Sequence, residues 1–321
     1  DVPTINEWVV NKLSKDGTPK KVGIDPLVHS IDSARALSEE LEQEGHSLVF
    51  LKTNPLDTVW GEDRPPMPED QIRVHDIKYA GRTVEDKLKE MRFHMEENGV
   101  QALLVTTLDE VAWLYNIRGS DVPHCPVALS YALVEAEQAT LFTNPSKVTD
   151  ACKAHLEASG VMIKPYDAVS TAVEQVTASG SSLWIDPATC NIGLLTAAEA
   201  GIAKSGEDSE EESAVLQLAS PVNMAKSKKN LSELTGMKNA HKRDGVALAT
   251  FFHWLENTVA GGKNPTEVEA AEVLRGMRAA QDGYLSTSFD TIAGSGANGA
   301  IIHYRAEEET CAKLDTHKLF L

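Results

Sequence analysis

Gly294-Ser295-Gly296-Ala297-Asn298-Gly299 has the G-x-G-x-x-G spacing that, at the mouth of a helix, can cradle a pyrophosphate on free backbone N–H groups. The next residues are Ala300-Ile301-Ile302-His303-Tyr304, whose adjacent β-branched pair predicts a strand instead of a helix. The acid that a dinucleotide site needs about 20 residues on is also missing, since Leu319 stands there. The spacing therefore predicts a tight β-turn that delivers His303 at the end or edge of a strand. Histidine titrates near neutrality and needs a polar partner in apolar surroundings. Two uses stay open at this point: a core imidazole bonded to a carbonyl, or one that faces a ligand.

Other candidates carry less. Cys152-x-x-His155 lacks a second half-site at metal-ligand spacing and reads as a small buried thiol. His253 sits in Phe251-Phe252-His253-Trp254-Leu255 with the pattern of a packed or rim residue, His124 lies in a loop between Pro123 and Cys125, and His317 is near the last residue. No H-E-x-x-H, Walker A or G-x-S-x-G occurs. Arg118-Gly119-Ser120-Asp121 admits a loop that shapes a substrate channel or dimer contact, and equally an Arg–Asp pair pinning a glycine turn.

The elements that must position these residues are organised by an internal repeat. Val22-Gly23-Ile24-Asp25-Pro26 matches Leu183-Trp184-Ile185-Asp186-Pro187 at an offset of 161. Each is followed by a helical stretch (residues 34–43 and 194–203) and a second apolar run, Ser47–Phe50 and Ser213–Leu216, now at an offset of 166. The acidic insert Glu207–Glu212 accounts for the extra length as a solvated loop. Strand, helix, strand is one unit of an α/β layer. Only the second copy has a front end. Thr83-x-x-Asp86 caps a predicted helix with Leu88, Met91 and Met95 on one face, closed by Asn98-Gly99. Beyond it come a buried strand (100–105), a short helix (109–114) and a hairpin (127–134 with 140–142). By that match, about 80 residues of the first copy are expected upstream of Asp1. The Pro-rich stretch around Arg64–Pro68 reads as a stiff linker. The third segment opens at Lys226–Asn230; a long amphipathic helix is predicted after it, ending at Gly261-Gly262, then a second one opened by the capping box Thr266-x-x-Glu269, then strands at 288–292, 300–304 and 318–321.

Composition excludes several classes. The chain of 321 residues carries a net charge of −18, a field that repels phosphate backbones and anionic lipid, so neither a nucleic acid nor a membrane is expected as a partner. No apolar run approaches the ~18 residues of a membrane span. Four cysteines without paired spacing fit a reducing, cytoplasmic setting.

The stretch Leu108-Asp109-Glu110-Val111-Ala112-Trp113-Leu114-Tyr115-Asn116-Ile117-Arg118-Gly119-Ser120-Asp121-Val122-Pro123 resembles the Xaa-Pro aminopeptidases (aminopeptidase P) of the long, three-domain cytosolic type. So do Gly294 to Tyr304, Val22–Pro26, Asp57-Thr58-Val59-Trp60 and Ala240-His241-x-x-Asp244-Gly245-Val246-Ala247-Leu248, in the same order along the chain. The resemblance implies an α/β architecture: two related creatinase-type N-terminal domains, the first incomplete (1–80) and the second at 81–225, followed by the opening part of a pita-bread metallopeptidase domain (226–321). It implies cleavage of the N-terminal residue from peptides whose second residue is proline, with two divalent metal ions, manganese expected, and a homodimer. It places the metal ligands (two Asp, one His, two Glu) beyond Leu321, so none is expected in this chain and the piece alone is expected to be inactive. His303 matches the family's histidine that lines the active site and contacts bound peptide. The competing readings are a non-catalytic pita-bread module that binds peptides or histones, which would suit the negative charge, and creatine-type hydrolysis, which the repeat argues against.

Overall fold

The computed structural model describes residues 2–13, 17–205 and 214–321. The acidic insert Glu207–Glu212 lies outside these residues. The chain divides into two compact units, residues 1–121 with 127–228, and residues 122–126 with 229–321.

The first unit runs α1 (Ile5–Leu13), β1 (Lys21–Ile24), α2 (Ile31–Gln43), β2 (Ser47–Phe50), α3 (Pro55–Trp60), β3 (Arg73–Val74), α4 (Ile77–Ala80), α5 (Val84–Glu97), β4 (Ala102–Val105), α6 (Leu108–Leu114) and β5 (Ile117–Arg118). It continues with β6 (Tyr131–Glu135), β7 (Ala139–Phe142), α7 (Asp150–Ala158), β8 (Val161–Lys164), α8 (Ala168–Ala178), β9 (Leu183–Ile185), α9 (Ile192–Ser205), β10 (Val215–Gln217) and α10 (Pro221–Ser227). Six strands form a mixed sheet in the order β10-β9-β4-β6-β7-β8, and β1 and β2 pair in parallel on their own. The six-stranded sheet is buried on both faces, and side-chain alternation sorts its residues between two cores. Leu103, Val105, Ala132 and Val134 join α5's Leu88, Met91 and Met95 in one core. Ala102, Leu104 and Leu133 join Val173, Leu195 and Ala198 of α8 and α9 in the other, which also takes Ile24, Ile31, Leu37 and Leu41 from the first copy. The Thr83 hydroxyl caps α5 by accepting from Asp86 N, and the chain turns away at Gly99 with φ +67°.

The repeat is visible in the backbone. Ile31 N donates to Cys190 O and Ile192 N to His29 O; Asp32 N donates to Pro187 O and Gly193 N to Pro26 O. Each bond maps onto its partner by the same shift of 161, so the two copies meet face to face as a two-fold pair would. One expectation needs correction. The ladders set Val22 against Leu48 and Leu183 against Val215, so Leu48 corresponds to Val215, one residue later than the apolar pattern indicates. Pattern alone cannot see register; hydrogen bonding decides it.

The second unit contains α11 (Leu231–Ala260) and α12 (Glu267–Ala279), opened by capping boxes at Asn230/Glu233 and Thr266/Glu269. Its core is small: Phe251, Ala270, Leu274 and Leu314. The strands expected at 288–292, 300–304 and 318–321 are not formed. Gly296–Ala300 is a single 3₁₀ turn followed by a further turn, and the described pairings here are isolated bridges, Ser295 with Phe320 and Thr266 with Lys313. β-Propensity measures packing against a neighbouring strand, and Ile301 and Ile302 have none beside them. Among the described residues no helix is long and apolar enough to cross a membrane.

Candidate functional site

The glycines of Gly294–Gly299 serve close packing. A Cβ on Gly294 would meet Gly299 Cα and N at 2.8 Å, and Gly296 adopts φ +61°. Gly294 and Leu321 exchange backbone bonds of 3.1 and 2.9 Å, and Gly296 N donates to Leu319 O. No backbone cradle for a phosphate results.

One carboxylate organises this loop. Glu267, in the first turn of α12, is fully buried. Its Oε1 accepts from Ser295 N at 2.5 Å, its Oε2 from Tyr304 Oη at 2.6 Å and Ala312 N at 2.8 Å, and Asn298 Nδ2 lies 3.1 Å from both oxygens. Asn298 Nδ2 also donates to Tyr304 Oη at 2.9 Å. Burial pushes the Glu267 carboxyl up, but the donors from Ser295, Tyr304, Ala312 and Asn298 outweigh it and hold the group below its ordinary value. The same hydrogen bond raises the Tyr304 phenol to about 12. Nothing in the sequence marked Glu267; the available signal was a second acid beside the capping-box Glu269.

His303 lies between Asn298 and Tyr304. It is exposed, in a turn, with φ +56°. Its imidazole makes no hydrogen bond or ion pair with a described residue, so the core histidine bonded to a carbonyl is not what forms here. Left-handed backbone is uncommon for a residue with a side chain and is held only where the surroundings over-determine it. Two residues on, Arg305 pairs with Asp290. Asp290 Oδ1 is 3.0 Å from His124 Nε2, and His124 Nδ1 lies 3.2 Å from Thr287 O. That pin fastens the segment 122–126, where His124 has φ +63°. A cleft of about 750 Å³ lined by His241, Asp244, Arg278, Tyr284 and Phe289 also opens in this unit, and His303 does not line it.

In the first unit the stretch Leu108–Asp121 buries several polar groups, Glu110 and Asn116 among them. Lys87, fully buried, donates from Nζ to Trp113 O and Asn116 Oδ1, both at 2.7 Å, and stands 4.0 Å from the centroid of the Trp113 ring. Glu110 accepts from Ser220 Oγ at 2.7 Å. The Arg118–Asp121 pair considered from the sequence is not made. Arg118 Nη1 donates to Ala112 O and Ile117 O, while Asp121 accepts from Leu129 N and pairs with Lys147. The guanidinium is taken by nearer carbonyls. Gly119 is required, since a Cβ would meet Ala128 Cβ and Val127 O at 2.7 Å. His155 Nε2 lies 3.0 Å from Tyr115 O, and burial pushes the Cys152 thiol up to about 11, so the Cys152-x-x-His155 pair is structural. Among the described residues no group of three or more His, Cys, Asp or Glu could hold a metal ion, so none of them is assigned to the expected metals.

Residues 63–233 match the creatinase/prolidase N-terminal domain, and residues 235–321 match metallopeptidase family M24. The chain belongs to the creatinase/prolidase family. Aminopeptidase P2 of Arabidopsis thaliana is 42% identical, the match covering 100% of this chain and 47% of that protein. A probable Xaa-Pro aminopeptidase P of Penicillium rubens is 37% identical over 100% of this chain and 51% of its own length. The chain thus spans about half the length of these relatives. Among solved structures, an X-prolyl aminopeptidase from Caenorhabditis elegans, described as a cytosolic enzyme with a di-nuclear active site, superposes with a TM-score of 0.89 at 30% identity, covering 100% of this chain and 50% of that one. A Xaa-Pro dipeptidase from Bacillus anthracis shares the fold, with a TM-score of 0.53 at 19% identity.

Proposed function

We propose that this chain is the N-terminal and substrate-facing part of a metalloaminopeptidase that hydrolyses the N-terminal Xaa-Pro bond of peptides. The supporting observation is the end-to-end match to proteins named as aminopeptidases P, 42% identical to one of them across the whole chain. In this reading residues 1–80 and 81–225 descend from one repeated unit, and residues 226–321 open the peptidase domain. An Xaa-Pro amide is tertiary and conformationally restricted, so a dedicated site is needed to hold it.

His303 is the residue we assign to bound peptide. Its imidazole is exposed and uncommitted, and it can donate to or accept from a peptide group. The whole protein would take two divalent metal ions, manganese first, held by residues other than those described. Their chemistry would be to activate water and polarise the scissile carbonyl. A cytosolic setting and a homodimer complete the proposal; the C. elegans neighbour is itself described as cytosolic.

The test is made on the full-length protein with Xaa-Pro and Xaa-Ala peptides. Selective cleavage of the Xaa-Pro bond is expected, and His303→Ala should lower kcat/KM about 100-fold with bound metal unchanged. Absence of Xaa-Pro cleavage by the metal-loaded wild type rejects the activity. Near-normal turnover of the variant rejects the role of His303.

A further inference from the structure

We infer that Glu267 is the positioning residue for His303: it bonds the side chains of Asn298 and Tyr304, which flank the His303 turn, and thereby sets where the imidazole stands. This rests on the assignment of His303 to bound peptide. His303 occupies a left-handed conformation, φ +56°, which is strained for a residue with a side chain and persists only where its neighbours enforce it. The neighbours that could do so are Asn298 on one side and Tyr304 on the other. Both reach the same carboxylate, Tyr304 Oη at 2.6 Å and Asn298 Nδ2 at 3.1 Å, and they bond each other at 2.9 Å. Glu267 is in turn tied to its surroundings. It belongs to a helix closed by a capping box, its own N–H donates to Ala312 O at 3.0 Å, and Ala312 N returns a bond to Oε2. The turn is therefore clamped at its two ends by one buried anion, while His303 itself stays free to meet a ligand.

A buried carboxylate with this many donors also stabilises the fold, so the test must separate position from stability. In the full-length protein Glu267→Gln keeps the shape but replaces one acceptor oxygen by a donor that faces other donors. Its kcat should fall about 100-fold, the scale of an ångström-sized misplacement, with KM and bound metal little changed. Tyr304→Phe removes two bonds of the clamp, the one donated to Glu267 Oε2 and the one accepted from Asn298 Nδ2, but keeps the carboxylate and its other donors; it should lose about 10-fold and keeps the test decisive if Glu267→Gln does not fold. The deciding measurement is the cycle with His303→Ala. If Glu267 and Tyr304 act through His303, either variant costs less than about 3-fold further in the His303→Ala background. Losses that multiply overturn the inference and leave the proposed activity standing. Histidine-selective NMR gives a reading without turnover: the His303 ring signals should move in both variants, and unmoved signals overturn the inference. Moved signals in a wild type that cleaves no Xaa-Pro peptide would support the positioning role and reject the proposed activity.

Discussion

The two units are held together by different means. In the first, a six-stranded sheet is buried on both faces and two apolar cores share the work, with Leu88, Met91, Leu103 and Leu141 almost wholly withdrawn from water. In the second, four buried apolar residues form the core, and the loop of interest is organised by the Glu267 carboxylate instead. Apolar burial is tolerant of direction and accumulates with area, whereas a buried anion is stable only if each acceptor site is met. The first arrangement therefore makes a scaffold. The second fixes one turn in one geometry, which suits the role proposed for His303.

That contrast can be broken most strongly in the cores. Leu88→Ala should destabilise the first unit by about 4 kcal/mol, because its fully packed surroundings cannot collapse, while Leu274→Ala in the smaller core should cost about 2 kcal/mol. Native-state hydrogen exchange on α5 and α12 reads the two separately; equal losses would remove the distinction. Next comes a close helix–helix approach in the first unit. A Cβ on Gly201 would stand 2.0 Å from Thr177 Oγ1 and 2.3 Å from Glu174 O, so Gly201→Ala should part α8 from α9 at a cost of about 3 kcal/mol. A denaturation midpoint equal to that of the wild type would show that the helices need no such approach.

Acid should separate the units as well. His75 of the first unit is lowered from its ordinary 6.5 to about 4, by burial first, then by Arg118, Lys87 and Arg73, with Asp76 opposing. The unfolded chain takes up this proton as pH falls below 6.5 and the folded one does not until about 4, so the first unit loses stability across that interval. Glu267 is shifted down, so its contribution is present above the ordinary carboxyl value of 4.5 and is lost only as pH falls through its lower folded value. Exchange on α5 should thus weaken between pH 6.5 and 4 while α12 holds, and His75→Gln should flatten the α5 profile. A slope unchanged by that substitution would assign the acid sensitivity elsewhere. The smallest effect is expected at the surface pair of Lys153 and Glu157, 3.8 Å apart and about 60% exposed on both sides. Lys153→Ala should change stability by less than about 0.5 kcal/mol; a larger loss in thermal denaturation would mean that the surface of α7 contributes to the scaffold.

Legibility tracked range. The caps at Thr83 and Thr266 and the buried helix face Leu88/Met91/Met95 were readable because partner and signal lie within one or two turns. The repeat was readable because a common spacing survives in the chain itself, although its register was off by one at Val215, where only the ladder to Leu183 decides. The strand expected through Ile301 and Ile302 failed because propensity supplies no neighbour. Arg118 and Asp121 were paired by proximity in sequence, yet Arg118 turns to the backbone carbonyls of Ala112 and Ile117, and Asp121 meets Lys147, 26 residues on, which the sequence does not place nearby.

The sequence by itself determined the helices that carry a cap or an apolar face, such as α5, α11 and α12, the strands of the duplicated unit and the resemblance to aminopeptidase P, since periodicity, capping and spacing are local properties. Only the tertiary structure decided which charges go inside. Lys87 meets Trp113 and Asn116, and Glu267 meets Ser295, Tyr304 and Ala312, at separations of 26 to 45 residues. A charge is buried only where such distant donors and acceptors converge, and that convergence is a property of the folded chain alone.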